Sequence, residues 1–242
     1  MKFLAAIITV AQLFAVVIAA PTLSVTNPVT GELEKRGYSK FVSQGFNDDF
    51  LPVWLQNAGY NTYYTGKLFN GHSHKTYNNP YVRGFTGSDF LLDPWTYDYL
   101  NPVYQHNQDP PTNYSGHHTS EVLMAKAHTL LNDAIASDKP FFLGLAPVAP
   151  HGTVIGNIED HNITIISGEP IPLKRHAHLF PDAKVPRTPN FNPDSPSSVS
   201  WIAERPLLTQ NELDDNDHFY RQRLRALQGV DELWKKAFVL EG

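Results

Sequence analysis

The sequence predicts an α/β protein built on a mainly parallel sheet, and three segments predict it. Residues 60–65 form a short aromatic, threonine-bearing stretch that reads as a strand. Residues 119–136 repeat apolar side chains at helical spacing, and residues 140–147 are a short apolar run that reads as a strand buried on both faces. Strand, crossover helix and strand in that order make a βαβ-like unit, for which parallel pairing is the natural outcome.

The first periodic segment is 47–58, where Phe50, Trp54 and Ala58 fall on one helical face and Asn47 or Asp48 can cap the start. Gly59 ends it. The strand at 60–65 follows, and Gly66-Lys67 stands where the strand gives way to a loop, which puts Lys67 at a strand's C-terminal end. Residues 70–118 are rich in Asn, Pro, Gly, Tyr and Asp with no sustained period, a long irregular connection of the kind that often carries function. Thr119 or Ser120 caps the next helix, whose buried stripe is Leu123, Ala127, Leu130 and Ala134. The run from Pro140 to Pro147 is too short for a helix. Residues 152–205 return to Pro-, Asn- and Ser-rich sequence and read as irregular structure over the sheet edge. A final helix over 217–239 has Tyr220, Leu224, Leu227 and Asp231 on one face, with Arg221, Arg223 and Arg225 alternating against it.

Composition narrows the function classes. A chain of 242 residues with 41% hydrophobic and 12% aromatic content can bury a core, and its net charge of -5 supplies no basic field for gripping nucleic acid. No cysteine is present, which removes disulfides, thiolate metal sites and cysteine nucleophiles together. Met1-Lys2 followed by the apolar stretch 3–20, ending in Ala19-Ala20, reads as a secretory signal peptide with cleavage after Ala20. The alternative is a membrane anchor, since the stretch approaches the roughly 20 residues that span a bilayer; the Ala-Ala-Pro junction and the lack of a basic flank favour cleavage and no stable anchor. Residues 21–36 close on the dibasic pair Lys35-Arg36 and read as a pro-segment, with the pair as mere surface charge the alternative. The expected domain is then 37–242, in a secreted, extracellular protein with glycosylation sequons at Asn113 and Asn162.

Binding and catalytic groups of parallel α/β sheets collect at the C-terminal ends of strands. Lys67 and His151 both sit there. A lysine can hold an anionic oxygen as a point charge, and a histidine can give a proton to a leaving group near neutral pH. Together they suit an oxyanion ester.

Several stretches carry a resemblance to a known family. These are residues 51–67 (Leu-Pro-Val-Trp-Leu-Gln-Asn-Ala-Gly-Tyr-Asn-Thr-Tyr-Tyr-Thr-Gly-Lys), 87–94 (Gly-Ser-Asp-Phe-Leu-Leu-Asp-Pro), 140–151 ending in Ala-Pro-His, 184–192 and 219–228. In that order and separation they resemble the arylsulfatases, particularly the secreted fungal type, over almost everything from Gly37 to about Leu233. The resemblance implies an alkaline-phosphatase-like α/β sandwich, here partial and lacking its first strand and C-terminal part. It also implies hydrolysis of a sulfate ester, small molecule or sulfated glycan, through a formylglycine and one divalent cation, usually calcium. Lys67 would contact the sulfate and His151 would face the leaving oxygen.

The sequence also departs from the family. Phe69 stands where many sulfatases carry a histidine two residues after the lysine, while His72 and His74 match no family position and read as loop residues. A formylglycine precursor needs Cys or Ser followed by any residue, Pro, any residue and Arg, and no such string occurs in the chain. The segments that bear the family's calcium carboxylates are expected to be missing too. Asp48-Asp49 and Asp215-Asn216-Asp217 are assigned to helix capping rather than to metal. The expected function is an arylsulfatase-like chain without sulfatase activity of its own. Its alternatives are a non-catalytic secreted glycoprotein that binds sulfated ligands and an incomplete, non-folding gene product.

Overall fold

The computed structural model describes residues 37–155, 166–195 and 199–238, so the signal peptide, the pro-segment and Asn162 lie outside the described residues. The elements begin with helix α1 (Tyr38–Ser43), helix α2 (Leu51–Asn57), strand β1 (Asn61–Lys67), β2 (Gly87–Leu91), β3 (Val103–His106) and β4 (Thr112–Asn113). Helix α3 (Thr119–Ile135), β5 (Phe141–Ala146), β6 (Thr153–Ile155), β7 (Ile166–Gly168), the short α4 (Ser200–Ala203) and the long α5 (Gln210–Phe238) complete them.

Five strands form one sheet in the order β4-β3-β2-β1-β5. Strand β1 pairs in parallel with both β2 and β5, while β3 and β4 add antiparallel to the β2 side. The fold is therefore α/β with a mixed, mostly parallel core, as expected. A separate β6-β7 hairpin lies within the stretch that reads as irregular.

Both faces of β1 are covered. On one, Tyr63 packs against Leu130 and Ala134 of α3, and farther along α3 Leu123 and Ala127 meet Leu233 of α5. The four residues of the expected α3 stripe are all buried. On the other face Tyr64 and Phe90 join a cluster of rings with Phe85, Phe50, Phe41, Phe69, Tyr38 and His72. Aromatic side chains tile that face where a second long helix is absent among the described residues.

Several expectations need correction. The first helix is not continuous over 47–58: a 3₁₀ turn (Phe46–Asp48) precedes α2, and Trp54 and Ala58 point to solvent, because Pro52 supplies the buried contact of this short helix. Residues 70–118 contain β2, β3 and β4, and β2 is buried along its whole length. Its Asp89 would be prohibitive in a core if unpaired; Lys126 donates to it at 2.5 Å and His106 lies at 3.3 Å, which neutralises the charge through contacts no local pattern reveals. Strand β5 is half-buried rather than enclosed, since it is outermost among the described strands. Helix α3 is capped by His118, whose Nδ1 accepts from the Ser120 amide, not by Thr119 or Ser120. Helix α5 starts earlier than expected, at a reciprocal box in which the Thr209 amide donates to Glu212 and the Glu212 amide to Thr209. Its buried line is Asp217, Ala226, Gly229 and Leu233, whereas Tyr220, Leu224 and Leu227 are half-buried and Asp231 is exposed.

Leu130 is fully buried where α3 meets the sheet. Leu130→Ala should cost about 2–5 kcal/mol. Urea unfolding would show it as a lower midpoint at unchanged slope.

Candidate functional site

The parallel strands β1 and β5 end side by side, and the approach is close. Gly66 pairs with Ala146 at φ +110°, and a Cβ there would lie 2.1 Å from the Ala146 carbonyl oxygen. Glycine is required on both counts. The next residue, Lys67, therefore leaves the sheet beside the end of β5, and five residues beyond Ala146 comes His151.

A third segment enters from β2. Past Leu91, Asp93 folds the chain back on itself: its Oδ2 accepts from the Gly71 amide at 2.7 Å and its Oδ1 from the Thr96 hydroxyl at 2.6 Å. The 3₁₀ turn Trp95–Tyr97 follows and sets Tyr97 between the two expected residues. The Lys67 ammonium donates to the Tyr97 hydroxyl oxygen and lies 4.0 Å from the centre of its ring. The His151 imidazole stacks on the same ring, with centroids 3.9 Å apart and planes at 19°. Lys67 and His151 are thus brought together through Tyr97, a residue the sequence reading did not single out.

Each partner is held by backbone. The His151 amide donates to Val148 O at 2.9 Å, and the Tyr99 hydroxyl donates to His151 O at 2.7 Å. His151 Nδ1 lies 2.7 Å from Gly152 O, an acceptor, so Nδ1 carries the hydrogen and Nε2 is left to face solvent or a ligand. Burial lowers the Lys67 pKa, opposed by the nearby Asp93 carboxylate. Burial, with Asp93 adding to it, pushes the Tyr97 phenol up to about 12. The site thus presents a cation, a protonated phenol and an imidazole at one rim of the sheet, a donor set matched to an anion.

The same residues do not fit a hard divalent cation. Calcium takes six to eight oxygen ligands. Asp93 uses both oxygens within its own loop, Asp48 pairs with Arg83, and Asp49 accepts from the Trp54 indole at 2.5 Å. Asp217 is engaged by the Val185 amide and Arg187. Among the described residues no group of three or more His, Cys, Asp or Glu is arranged to hold a metal. The capping assignment for the two aspartate clusters is corrected: Asp48 and Asp49 tie side chains to neighbouring loops, Asn47 braces the 81–83 backbone, and Asp217 lies inside α5. Phe69 packs against Tyr38 and Phe41. Asn113 is exposed on β4.

His72 is not a simple loop residue. It is completely buried against Tyr38 and Phe90, and neither ring nitrogen has a hydrogen-bond partner. Burial lowers its pKa to about 4, opposed in part by the Tyr77 backbone. The folded state therefore binds fewer protons than the unfolded chain between about pH 6.5 and 4, and stability falls as pH falls through that window. His72→Phe should remove about 3 kcal/mol of this loss. Denaturation midpoints at pH 7 and pH 4 in the two proteins would measure it, and equal slopes with pH would refute it.

The family model for sulfatases matches residues 20–238. An arylsulfatase of Volvox carteri is 39% identical over 203 residues, covering 81% of this chain and 31% of that protein. An arylsulfatase of Chlamydomonas reinhardtii is 34% identical over 205 residues, with the same coverage of 81% and 31%. The sulfatase ppz1 of Metarhizium majus is 36% identical over 143 residues, covering 59% of this chain and 32% of that protein. The chain spans less than a third of the length of each of these relatives.

Proposed function

Because the chain belongs to the sulfatase family, we propose that Lys67, Tyr97 and His151 form the sulfate-binding and leaving-group side of a sulfate ester site. The observation that carries this reading is the convergence of Lys67 and His151 on one tyrosine ring at the C-terminal ends of parallel strands, where α/β sheets bind ligands. In this reading Lys67 neutralises a non-bridging sulfate oxygen. His151, with Nδ1 committed to Gly152 O, offers protonated Nε2 to the bridging oxygen as it leaves. The substrate class is a sulfate ester, aryl or carbohydrate.

A polypeptide of these 242 residues binds such an ester without turning it over. Two-step displacement needs a nucleophile. The chain has no cysteine and no serine in the Ser-x-Pro-x-Arg context that formylglycine formation requires. General acid assistance alone contributes about 10²- to 10⁴-fold, a small part of what slow ester hydrolysis demands. Phenol release from 4-nitrophenyl sulfate should be no faster than in a Lys67→Ala, His151→Ala double variant, with or without calcium. Calcium should also leave the melting temperature unchanged, since a ligand stabilises only by binding the folded form. Turnover abolished in the double variant, or a calcium-dependent rise in melting temperature reversed by chelator, would overturn this reading.

The proposal includes export. The apolar stretch 3–20 and the Lys35-Arg36 pair support cleavage after Ala20 and after Arg36, with glycans on Asn113 and Asn162. N-terminal sequencing of secreted material should begin at Gly37; an intact chain from Met1 in a membrane pellet would refute export.

A further inference from the structure

The Tyr97 hydroxyl accepts from Lys67, and its own hydrogen cannot point at that ammonium. Among the described residues it has no acceptor. Asp93, the carboxylate that builds the loop, is already engaged by Gly71 and Thr96 and takes no bond from Tyr97. Lys67 likewise has no carboxylate within salt-bridge distance among the described residues, so two of its three N–H groups are uncommitted. Uncommitted donors on a half-buried lysine and a half-buried tyrosine, side by side, form a two-pronged cradle for an oxyanion.

We infer that Tyr97 is itself a substrate ligand, donating its phenolic hydrogen to a sulfate oxygen beside Lys67, while its ring fixes the imidazole of His151 for the leaving oxygen. This rests on the sulfate ester site proposed above. The phenol suits the role because it stays protonated across the physiological range, its pKa held near 12 by burial and Asp93. Stacking at 3.9 Å leaves the imidazole one sliding plane, so the ring sets where Nε2 can be presented. The two duties separate by substitution: Tyr97→Phe removes the hydroxyl and keeps the platform, and Tyr97→Leu removes both.

The full chain is titrated with 4-nitrophenyl sulfate by calorimetry, in wild type, Tyr97→Phe, Tyr97→Leu and Lys67→Ala. The His151 Hε1 resonance is followed in parallel by NMR, since an aromatic ring stacked on the imidazole shields it. In Tyr97→Phe, affinity should fall about 10- to 100-fold, the usual consequence of losing a hydrogen bond to a charged group. Its His151 resonance should stay at the wild-type position. Tyr97→Leu should weaken binding at least as much and move the resonance downfield. Unchanged or tighter binding in Tyr97→Phe would overturn the ligand role, because Lys67 would then be freed rather than assisted by loss of the hydroxyl. An unmoved resonance in Tyr97→Leu would overturn the positioning role. Full affinity in Lys67→Ala would instead sink the sulfate ester reading, whatever Tyr97 does. Absence of binding by the wild type would remove both.

Discussion

The double parallel pairing of β1 is the constraint on which the rest of this structure depends. One strand is hydrogen-bonded on both edges, to β2 and to β5, and its residues Thr62 and Thr65 are fully buried. Because all three strands run the same way, their C-terminal ends emerge at one rim. The chemistry-bearing segments after each of them, 67, 93–97 and 148–151, then meet without any long loop having to search for its place. The required glycine at position 66 draws β1 and β5 together at the last register pair before the rim. Anything that slips that register moves Lys67 away from Tyr97.

The two faces of β1 are stabilised by different means. Helix α3 covers one with aliphatic side chains at helical spacing, backed in turn by α5 through Leu123, Ala127 and Leu233. The other is covered by rings in tilted and edge-on contacts. Two buried ionisable groups tune this arrangement differently. Asp89 is compensated by Lys126 and His106. His72 has no charged partner, and burial keeps it neutral.

What could be read from sequence follows from how local the cause is. Helix α3 was legible because its stripe of Leu123, Ala127, Leu130 and Ala134 depends only on spacing, β1 because its tyrosines and threonines favour extended backbone, and β5 because its apolar run is too short for a helix. Strand β2 was not, since Gly87, Ser88 and Asp89 argue against a strand until Lys126, far along the chain, neutralises the acid. The buried line of α5 runs through Ala226 and Gly229, where Gly229 sits within 3.2 Å of Leu173 and Ser120 side-chain atoms if given a Cβ. Small residues packed by close approach leave little hydrophobic signal. Lys67 and His151 were readable as strand-end residues. Tyr97 was not, because its position matters only once β2 is known to end beside β1.

Strand β5 carries a consequence of its own for how the protein behaves at concentration. Its sequence Phe-Phe-Leu-Gly-Leu-Ala has no charge and no proline, and among the described strands its outer edge has no neighbour. Edge strands elsewhere are guarded by lysines, bulges or covering loops, because a free row of amide and carbonyl groups templates another strand. Here the strand is apolar and six residues long. Strand addition at this edge is therefore the route to self-assembly that its sequence leaves open.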